Sequence, residues 1–209
     1  MAGDAAPPRD AAPRDAAPPR DGPPFRGSAV LDVGCGRDKL PGAVGIDRSS
    51  DTAADVVHDL DRFPWPFADG TFHEVRCQDV IEHLRDVVAV MEEIHRITAP
   101  DALVRIRVPH FSSVQAFTDP THRHFFSSES FDYFAPERTL YAYYSAARFR
   151  VEACRLTLWR PYRALGIEWL ANRFTQRYEK MFAFIFPCQY VEFELRRLPA
   201  QSTSEHASR

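Results

Sequence analysis

The sequence predicts an α/β fold with a mostly parallel sheet. The first observation is a series of short apolar runs typical of buried strands, at residues 28–33, 43–47, 55–58, 71–77 and 102–108. The second is an amphipathic helical pattern at residues 80–98, between the fourth and fifth runs, with an expected break near Arg85-Asp86. Strands that alternate with crossovers in this order are typical of parallel sheets.

The second half of the chain is less regular, and its elements follow from local patterns. In chain order we predict a polar, aromatic loop at 109–126, a serine-capped helix at 127–135, a strand at 148–159, an aromatic helical segment at 162–186 and a final strand at 189–198. The last strand is expected to be antiparallel to its neighbours.

Both ends of the chain are predicted to be disordered tails. Residues 1–24 repeat the unit AAPPRD or AAPRD and contain few apolar side chains, so burial cannot offset the entropy of ordering them. Residues 199–209 are the expected C-terminal tail. The folded domain is therefore placed at residues 25–198, with residues 160–186 as an aromatic helical insertion.

Composition excludes several classes of protein. The net charge of −3 argues against a nucleic-acid binder that works by bulk charge. No apolar run approaches the ~20 residues of a membrane span, and no secretory signal pattern is present. The four cysteines are far apart and form no CxxC pair, which indicates a reduced, cytoplasmic protein.

The strongest motif is the run Leu31–Gly36, LDVGCG, followed by Gly45-Ile46-Asp47. Glycines after the first strand allow a ligand to approach the backbone closely. An acidic residue at the end of the second strand can accept hydrogen bonds from the hydroxyl groups of a ribose. Only residues 37–42 separate the two strands, and a crossover with a helix needs about 10–12 residues. The first crossover helix is therefore expected to be shortened or missing.

These motifs resemble those of the class I S-adenosylmethionine-dependent methyltransferases, over about residues 28–136. The stretches 58–60, 63–72 and 78–84 are similar to further motifs of that family. The resemblance implies a Rossmann-like sheet and S-adenosyl-L-methionine as the cofactor. The cofactor-binding residues that it implies are Asp32, Gly34, Cys35, Gly36, Asp47, Arg48, Asp59, Leu60 and Gln78. Asp38 departs from the family pattern, which usually has a third glycine there.

A second cluster of polar residues lies in the loop after the fifth strand, and the region 109–136 is expected to face the methyl acceptor. The catalytic candidates in it are His110, Asp119, His122 and His124, with His110 or His122 as a base. Two alternatives stay open: a divalent metal such as zinc, iron or nickel bound by these side chains, or hydrogen-bonded scaffolding of the loop. No metal ligand is assigned from the sequence.

Several other residues receive simpler interpretations. His83 and His95 are expected to be packing or surface residues on the helical segment, and Cys35 a small packing residue. Arg37 or Lys39 is expected to replace the positive helix end that the missing crossover helix would supply. The aromatic segment 160–186 is consistent with core packing, an acceptor pocket or the interface of a homodimer.

The sequence therefore predicts a methyltransferase that transfers a methyl group in line to a small-molecule acceptor, with no nucleic-acid or membrane partner. Two alternatives remain. One is a dinucleotide-dependent oxidoreductase, although the chain lacks a GxGxxG turn. The other is a binding or assembly protein with a degenerate cofactor pocket. Separate titrations with S-adenosylhomocysteine and NAD distinguish the three.

Overall fold

A computed structural model describes residues 30–137 and 145–199. The predicted tail at 1–24 lies outside the described residues, as does the predicted tail at 199–209 except for Pro199. Within the described part the chain forms a seven-stranded sheet in the order β3-β2-β1-β4-β5-β7-β6. Its strands are β1 (Val30–Val33), β2 (Val44–Asp47), β3 (Val56–Val57), β4 (Phe72–Gln78), β5 (Thr98–Pro109), β6 (Arg148–Leu158) and β7 (Cys188–Leu198).

The sheet confirms the predicted fold class. Strands β1 to β5 pair in parallel, whereas β7 is antiparallel to both β5 and β6. Residues 34–43, between β1 and β2, contain turns and no helix, as the short spacing predicts. The chain leaves β1 toward β2 and β3 and then returns to β4 on the other side of β1. A crevice opens at such a reversal of strand order, at the carboxyl ends of the strands.

The helices of the described residues are short, and all of them follow β4. They are the 3₁₀ segments η1 (Ile81–His83) and η2 (Ser130–Phe134), and the α-helices α1 (Val87–Ile97), α2 (Gln115–Thr118), α3 (Arg160–Ala164), α4 (Ile167–Arg173) and α5 (Thr175–Met181). The expected break near Arg85-Asp86 is present. There the Asp86 carboxylate caps α1 by accepting hydrogen bonds from the backbone N–H groups of Val88 and Ala89.

Four predicted elements differ from the structure. The serine-capped helix is the shorter segment η2, β5 begins four residues early at Thr98, and the loop 109–126 contains α2. The single aromatic helix expected at 162–186 is three short helices. Gly166, with a φ of 74°, separates α3 from α4, and Phe174 leaves helical geometry between α4 and α5. Aromatic composition does not reveal these breaks.

The two faces of the sheet have opposite character because side chains alternate along each strand. One face is apolar and packs against Met91 and Ile94 of α1 and Phe131 of η2. The other face carries charged side chains in the central strands. There Arg105 forms ion pairs with Glu74 on one neighbouring strand and with Glu194 on the other.

Part of α4 covers the edge strand of the sheet. The Asn172 side chain accepts a hydrogen bond from the backbone N–H of Leu156 and donates one to its carbonyl oxygen, each at 2.8 Å. Glu168 accepts from the N–H of Leu158 at 2.9 Å. These contacts satisfy backbone groups of β6 that would otherwise be open to pairing with another chain. None of the helices in the described part is long and apolar enough to cross a lipid bilayer.

Candidate functional site

A cavity of about 710 Å³ lies at the carboxyl ends of β1, β2 and β4, at the reversal of strand order. It is lined by Gly34, Asp47, Arg48, Asp59, Leu60, Asp61, Asp79, Val80, His83, Leu84, Arg85, Pro120, Thr121 and Arg123. This volume is within the range of about 300–1,000 Å³ that is typical of small-molecule sites. The cavity is therefore the candidate functional site.

The turn after β1 fits tightly against the segment after β4. Gly34 has a φ of 62°, and a Cβ atom added there would lie 2.4 Å from Cγ2 of Val80. Only glycine satisfies both conditions, because other residues are strained at this φ and have a side chain. Gly36 also has a positive φ, but a Cβ atom there would meet no atom within 4 Å. The turn therefore packs tightly against Val80 at Gly34, whereas at Gly36 there is free space beside the backbone.

Asp47, at the end of β2, is held in place by the backbone. Its Oδ2 accepts a hydrogen bond from the N–H of Gly36 at 3.0 Å, and its Oδ1 accepts one from the N–H of Ser49 at 2.9 Å. A carboxylate has about four acceptor positions, so each oxygen can accept a further hydrogen bond. Asp47 therefore presents an oriented acceptor pair to the cavity.

The segment that carries Asp59 and Leu60 is anchored by the core. Trp65 is fully buried, and its indole N–H donates to the carbonyl oxygen of Leu60 at 3.2 Å. Its backbone N–H donates to the buried Glu93 of α1 at 2.6 Å. Arg96, one turn further along α1, pairs with Glu93 and donates to the carbonyl oxygens of Trp65 and Phe67. The floor of the cavity is thus connected to α1.

Five of the nine predicted cofactor-binding residues line the cavity: Gly34, Asp47, Arg48, Asp59 and Leu60. The other four lie beside it. Asp32 is buried and accepts from the N–H of Leu40 at 2.8 Å, Gly36 bonds to Asp47, and Gln78 accepts from Arg76. Burial, followed by the charges of Asp47 and Asp32, raises the pKa of the Cys35 thiol to about 11, which agrees with a packing role.

The four predicted catalytic residues do not form one group. His110 is fully buried, with Nδ1 2.8 Å from Ser112 Oγ and Nε2 3.0 Å from Glu179 Oε1, and it does not line the cavity. Nε2 of His124 lies 2.9 Å from the carbonyl oxygen of Leu84. These contacts give His110 and His124 scaffolding positions, one of the alternatives that the sequence left open.

Asp119 and His122 instead lie beside η1. Oδ1 of Asp119 accepts from both the N–H and the Oγ1 hydroxyl of Thr121, at 2.8 and 2.7 Å. Thr121 Oγ1 is in turn 2.8 Å from Nδ1 of His83. The rings of His83 and His122 pack edge to face, with centroids 4.6 Å apart. The loop at 119–124 is thereby fixed against the segment that follows β4.

Sequence reasoning missed the role of η1. His83, expected to be a packing or surface residue, lines the cavity. Glu82, beside it, is 1% exposed, and burial raises the pKa of its carboxyl group to about 7. One ligand atom from each of Glu82, His83 and His122 lies within 4.8 Å of the other two. The adjacent Glu-His pair was a possible sequence signal, but its partner His122 is 39 residues away.

Comparison with known proteins agrees with the fold. The methyltransferase domain family matches residues 9–154, more than half of the chain. No curated protein matches the sequence.

Several solved structures share the fold at low sequence identity. A SAM-dependent methyltransferase from Archaeoglobus fulgidus is 16% identical with a TM-score of 0.57, over 82% of this chain and 86% of that one. A phosphoethanolamine N-methyltransferase from Haemonchus contortus in complex with S-adenosyl-L-methionine is 14% identical with a TM-score of 0.52, over 83% and 49%. An S-adenosylmethionine-dependent methyltransferase from Mesorhizobium loti is 14% identical with a TM-score of 0.50, over 86% and 93%. The chain belongs to the class I S-adenosylmethionine-dependent methyltransferases.

Proposed function

We propose that this enzyme methylates a small-molecule acceptor bound in the cavity at the ends of β1, β2 and β4. The observation that carries the proposal is the Asp47 carboxylate, oriented by two backbone N–H groups at the wall of a 710 Å³ cavity. A cavity of this size leaves room for a nucleoside cofactor and a small acceptor together.

The residues present fit the cofactor. Asp47 would accept hydrogen bonds from the ribose hydroxyls, and Asp59 and Leu60 lie further along the same wall for the base. The open space beside Gly36 leaves the turn accessible to a bound ligand. S-adenosyl-L-methionine supplies an activated methyl sulfonium when bound. The protein then acts mainly by positioning, which can contribute about 7–11 kcal/mol to lowering a barrier.

Two arginines at the cavity are available for an anionic group. The exposed side chains of Arg48 and Arg123 line the cavity and have no ion-pair partner within residues 30–137 and 145–199. The residues expected from the sequence for this role, Arg37 and Lys39, are already paired with Asp51 and Asp55. We therefore assign the carboxylate of the cofactor, or an acidic group of the acceptor, to Arg48 and Arg123.

Proton removal from the acceptor falls to the histidines nearest the cavity. His83 lines it, and His122 packs against His83. Of the candidate bases suggested by the sequence, His122 is therefore retained, and His83 is added to it. His110 and His124 support the loop through Glu179 and the carbonyl oxygen of Leu84. Asp119 orients His83 through Thr121, because the Thr121 hydroxyl group contacts both the Asp119 carboxylate and Nδ1 of His83.

Titration calorimetry with S-adenosylhomocysteine tests the cofactor assignment. Asp47→Asn should weaken binding by about 1–3 kcal/mol, because it removes a charged hydrogen-bond acceptor. Asp38→Asn is the matched control, since Asp38 is exposed in the connection between β1 and β2 and does not line the cavity. Unchanged affinity in a folded Asp47→Asn protein would contradict the assignment. NAD should not bind to either protein.

A further inference from the structure

The Glu82 carboxylate is buried without a partner. Both oxygens are inaccessible, and neither accepts a hydrogen bond from another residue in the described part of the chain. A buried carboxylate in this state is costly unless it is paired, hydrogen-bonded or coordinated to a cation. The nearby side chains that could bind a cation together with it are His83 and His122. Each has a ring nitrogen within 4.8 Å of a Glu82 carboxylate oxygen.

The hydrogen bonds of the two histidines leave one nitrogen of each ring available. Nδ1 of His122 is 3.1 Å from the carbonyl oxygen of Ala116, which can only accept, so Nδ1 carries the proton. Nδ1 of His83 faces the Thr121 hydroxyl, which donates its own proton to Asp119 and therefore accepts from His83. Both Nε2 atoms keep their lone pairs. Outer contacts of this kind orient histidine ligands in metal sites.

We propose that Glu82, His83 and His122 bind one divalent first-row transition metal ion at the wall of the cofactor cavity. Two imidazoles and one carboxylate suit zinc, manganese, iron, cobalt or nickel, whereas magnesium and calcium prefer oxygen ligands. Two ligand atoms of a tetrahedral ion are about 3.4 Å apart, from bond lengths near 2.1 Å. The three ligand atoms lie within 4.8 Å of one another, so side-chain rotations must bring them closer together around the ion.

The site deepens the proposed function and rests on it for its role in the reaction. Three protein ligands leave a coordination position open, as in catalytic metal sites. Because His83 lines the cavity, that position lies on the side where the acceptor is proposed to bind. A hydroxyl of the acceptor bound there would lose its proton to solvent more readily, since a divalent cation lowers the pKa of a bound hydroxyl group. With the metal bound, His83 and His122 act as ligands and no longer as bases.

Metal binding is measured on the full-length, chelator-treated protein with Co²⁺ and Zn²⁺ as probes, without cofactor. We expect one equivalent of either ion, and a visible Co²⁺ spectrum of nitrogen and oxygen coordination. Glu82→Gln and His122→Ala should each weaken binding by at least about tenfold, and Thr121→Ala, which removes only the outer contact of His83, by about tenfold. His73→Ala, at an exposed histidine of β4, should bind as the wild type does.

Thermal unfolding of the same proteins gives a second readout. Metal-free Glu82→Gln should unfold at or above the wild-type temperature, because it removes a buried unpaired carboxylate, yet the added metal should no longer stabilise it. Absence of stoichiometric Co²⁺ and Zn²⁺ binding by the wild type overturns the proposal, as does wild-type binding by both Glu82→Gln and His122→Ala. Binding of S-adenosylhomocysteine to the same samples separates this result from a failure of the cofactor assignment.

Discussion

At the residue scale, backbone geometry and short contacts define the side of the cavity that we propose binds the cofactor. Gly34 has a positive φ and approaches Val80 too closely for any side chain, while Asp47 is fixed by the N–H groups of Gly36 and Ser49. Gly45 is similarly confined, because a Cβ atom there would lie 2.7 Å from the sulfur of Cys35. These contacts explain why a turn without a following helix can still hold one geometry.

Gly34→Ala tests this confinement. It should lower the free energy of unfolding by about 1–2 kcal/mol for the left-handed backbone and by a further ~1–3 kcal/mol for overpacking against Val80. Gly42→Ala is the control: its φ is 79°, but a Cβ atom there has open space, so only the first cost applies. Urea denaturation measures both variants. Equal losses would show that the approach to Val80 does not limit the turn.

At the element scale, segments distant in sequence fix the loop after β5. The N–H of Arg123 donates to the carbonyl oxygen of Glu82, and His124 contacts that of Leu84, so one part of the loop is fixed to η1. Another part is fixed to α5. There Glu179 accepts from the N–H of Ser128 at 2.7 Å and from its hydroxyl at 2.8 Å, and contacts His110 at 3.0 Å.

Acid should weaken the contact that Glu179 of α5 makes with His110 and Ser128. Burial raises the pKa of Glu179, but the hydrogen bonds from His110 and Ser128 outweigh it, so the pKa lies below its ordinary value. The stabilisation is therefore complete above the unfolded pKa of about 4.3 and is lost as pH falls through the folded pKa. Glu179→Gln should lose about 1.5–3 kcal/mol at neutral pH.

Urea denaturation between neutral pH and about pH 3 checks the sign. The difference between wild type and Glu179→Gln should narrow as the pH falls. Glu92→Gln, at an exposed position of α1, should differ little from the wild type throughout. A difference that stays constant or widens in acid would mean that the Glu179 carboxylate is not the group responsible.

At the scale of the whole molecule, the described part of the fold is a sheet with α1 and η2 on its apolar face and α4 against its edge strand. Residues 34–43, 48–55 and 58–71, which connect the first four strands, contain no helix. In β5, β6 and β7, the polar face of the sheet is stabilised by ion pairs such as Arg196–Glu152 and Arg105–Glu194. Exposed pairs of this kind are each worth about 0–1 kcal/mol, so the apolar face must supply most of the stability.

Removal of residues 1–24 tests the predicted domain boundary. The repeated Ala/Pro/Arg/Asp composition of this segment cannot form a packed core, so a chain that begins at Phe25 should keep its melting temperature and its affinity for S-adenosylhomocysteine. Differential scanning calorimetry and titration calorimetry measure the two quantities. A clear loss in either would place part of this segment within the folded domain.

The sequence alone determined the sheet, the missing first crossover helix and the position of Gly34 and Asp47 at the cavity. These depend on local patterns: apolar runs predict strands, six residues between strands cannot hold a helix, and Gly34 and Asp47 lie at strand ends that any parallel sheet brings together. The breaks in the aromatic segment depend on backbone conformation at Gly166 and Phe174, which composition does not encode.

Only the tertiary structure decided which histidines lie at the cavity. His110, His122 and His124 are equivalent by sequence, yet Glu179, 69 residues away, pairs with His110, while His122 meets His83 and Glu82 from an element 39 residues earlier. Burial left the Glu82 carboxylate without a hydrogen-bond partner among the described residues. The physical reason is that side-chain partners depend on packing between distant segments, whereas strand patterns and turn chemistry depend on neighbouring residues.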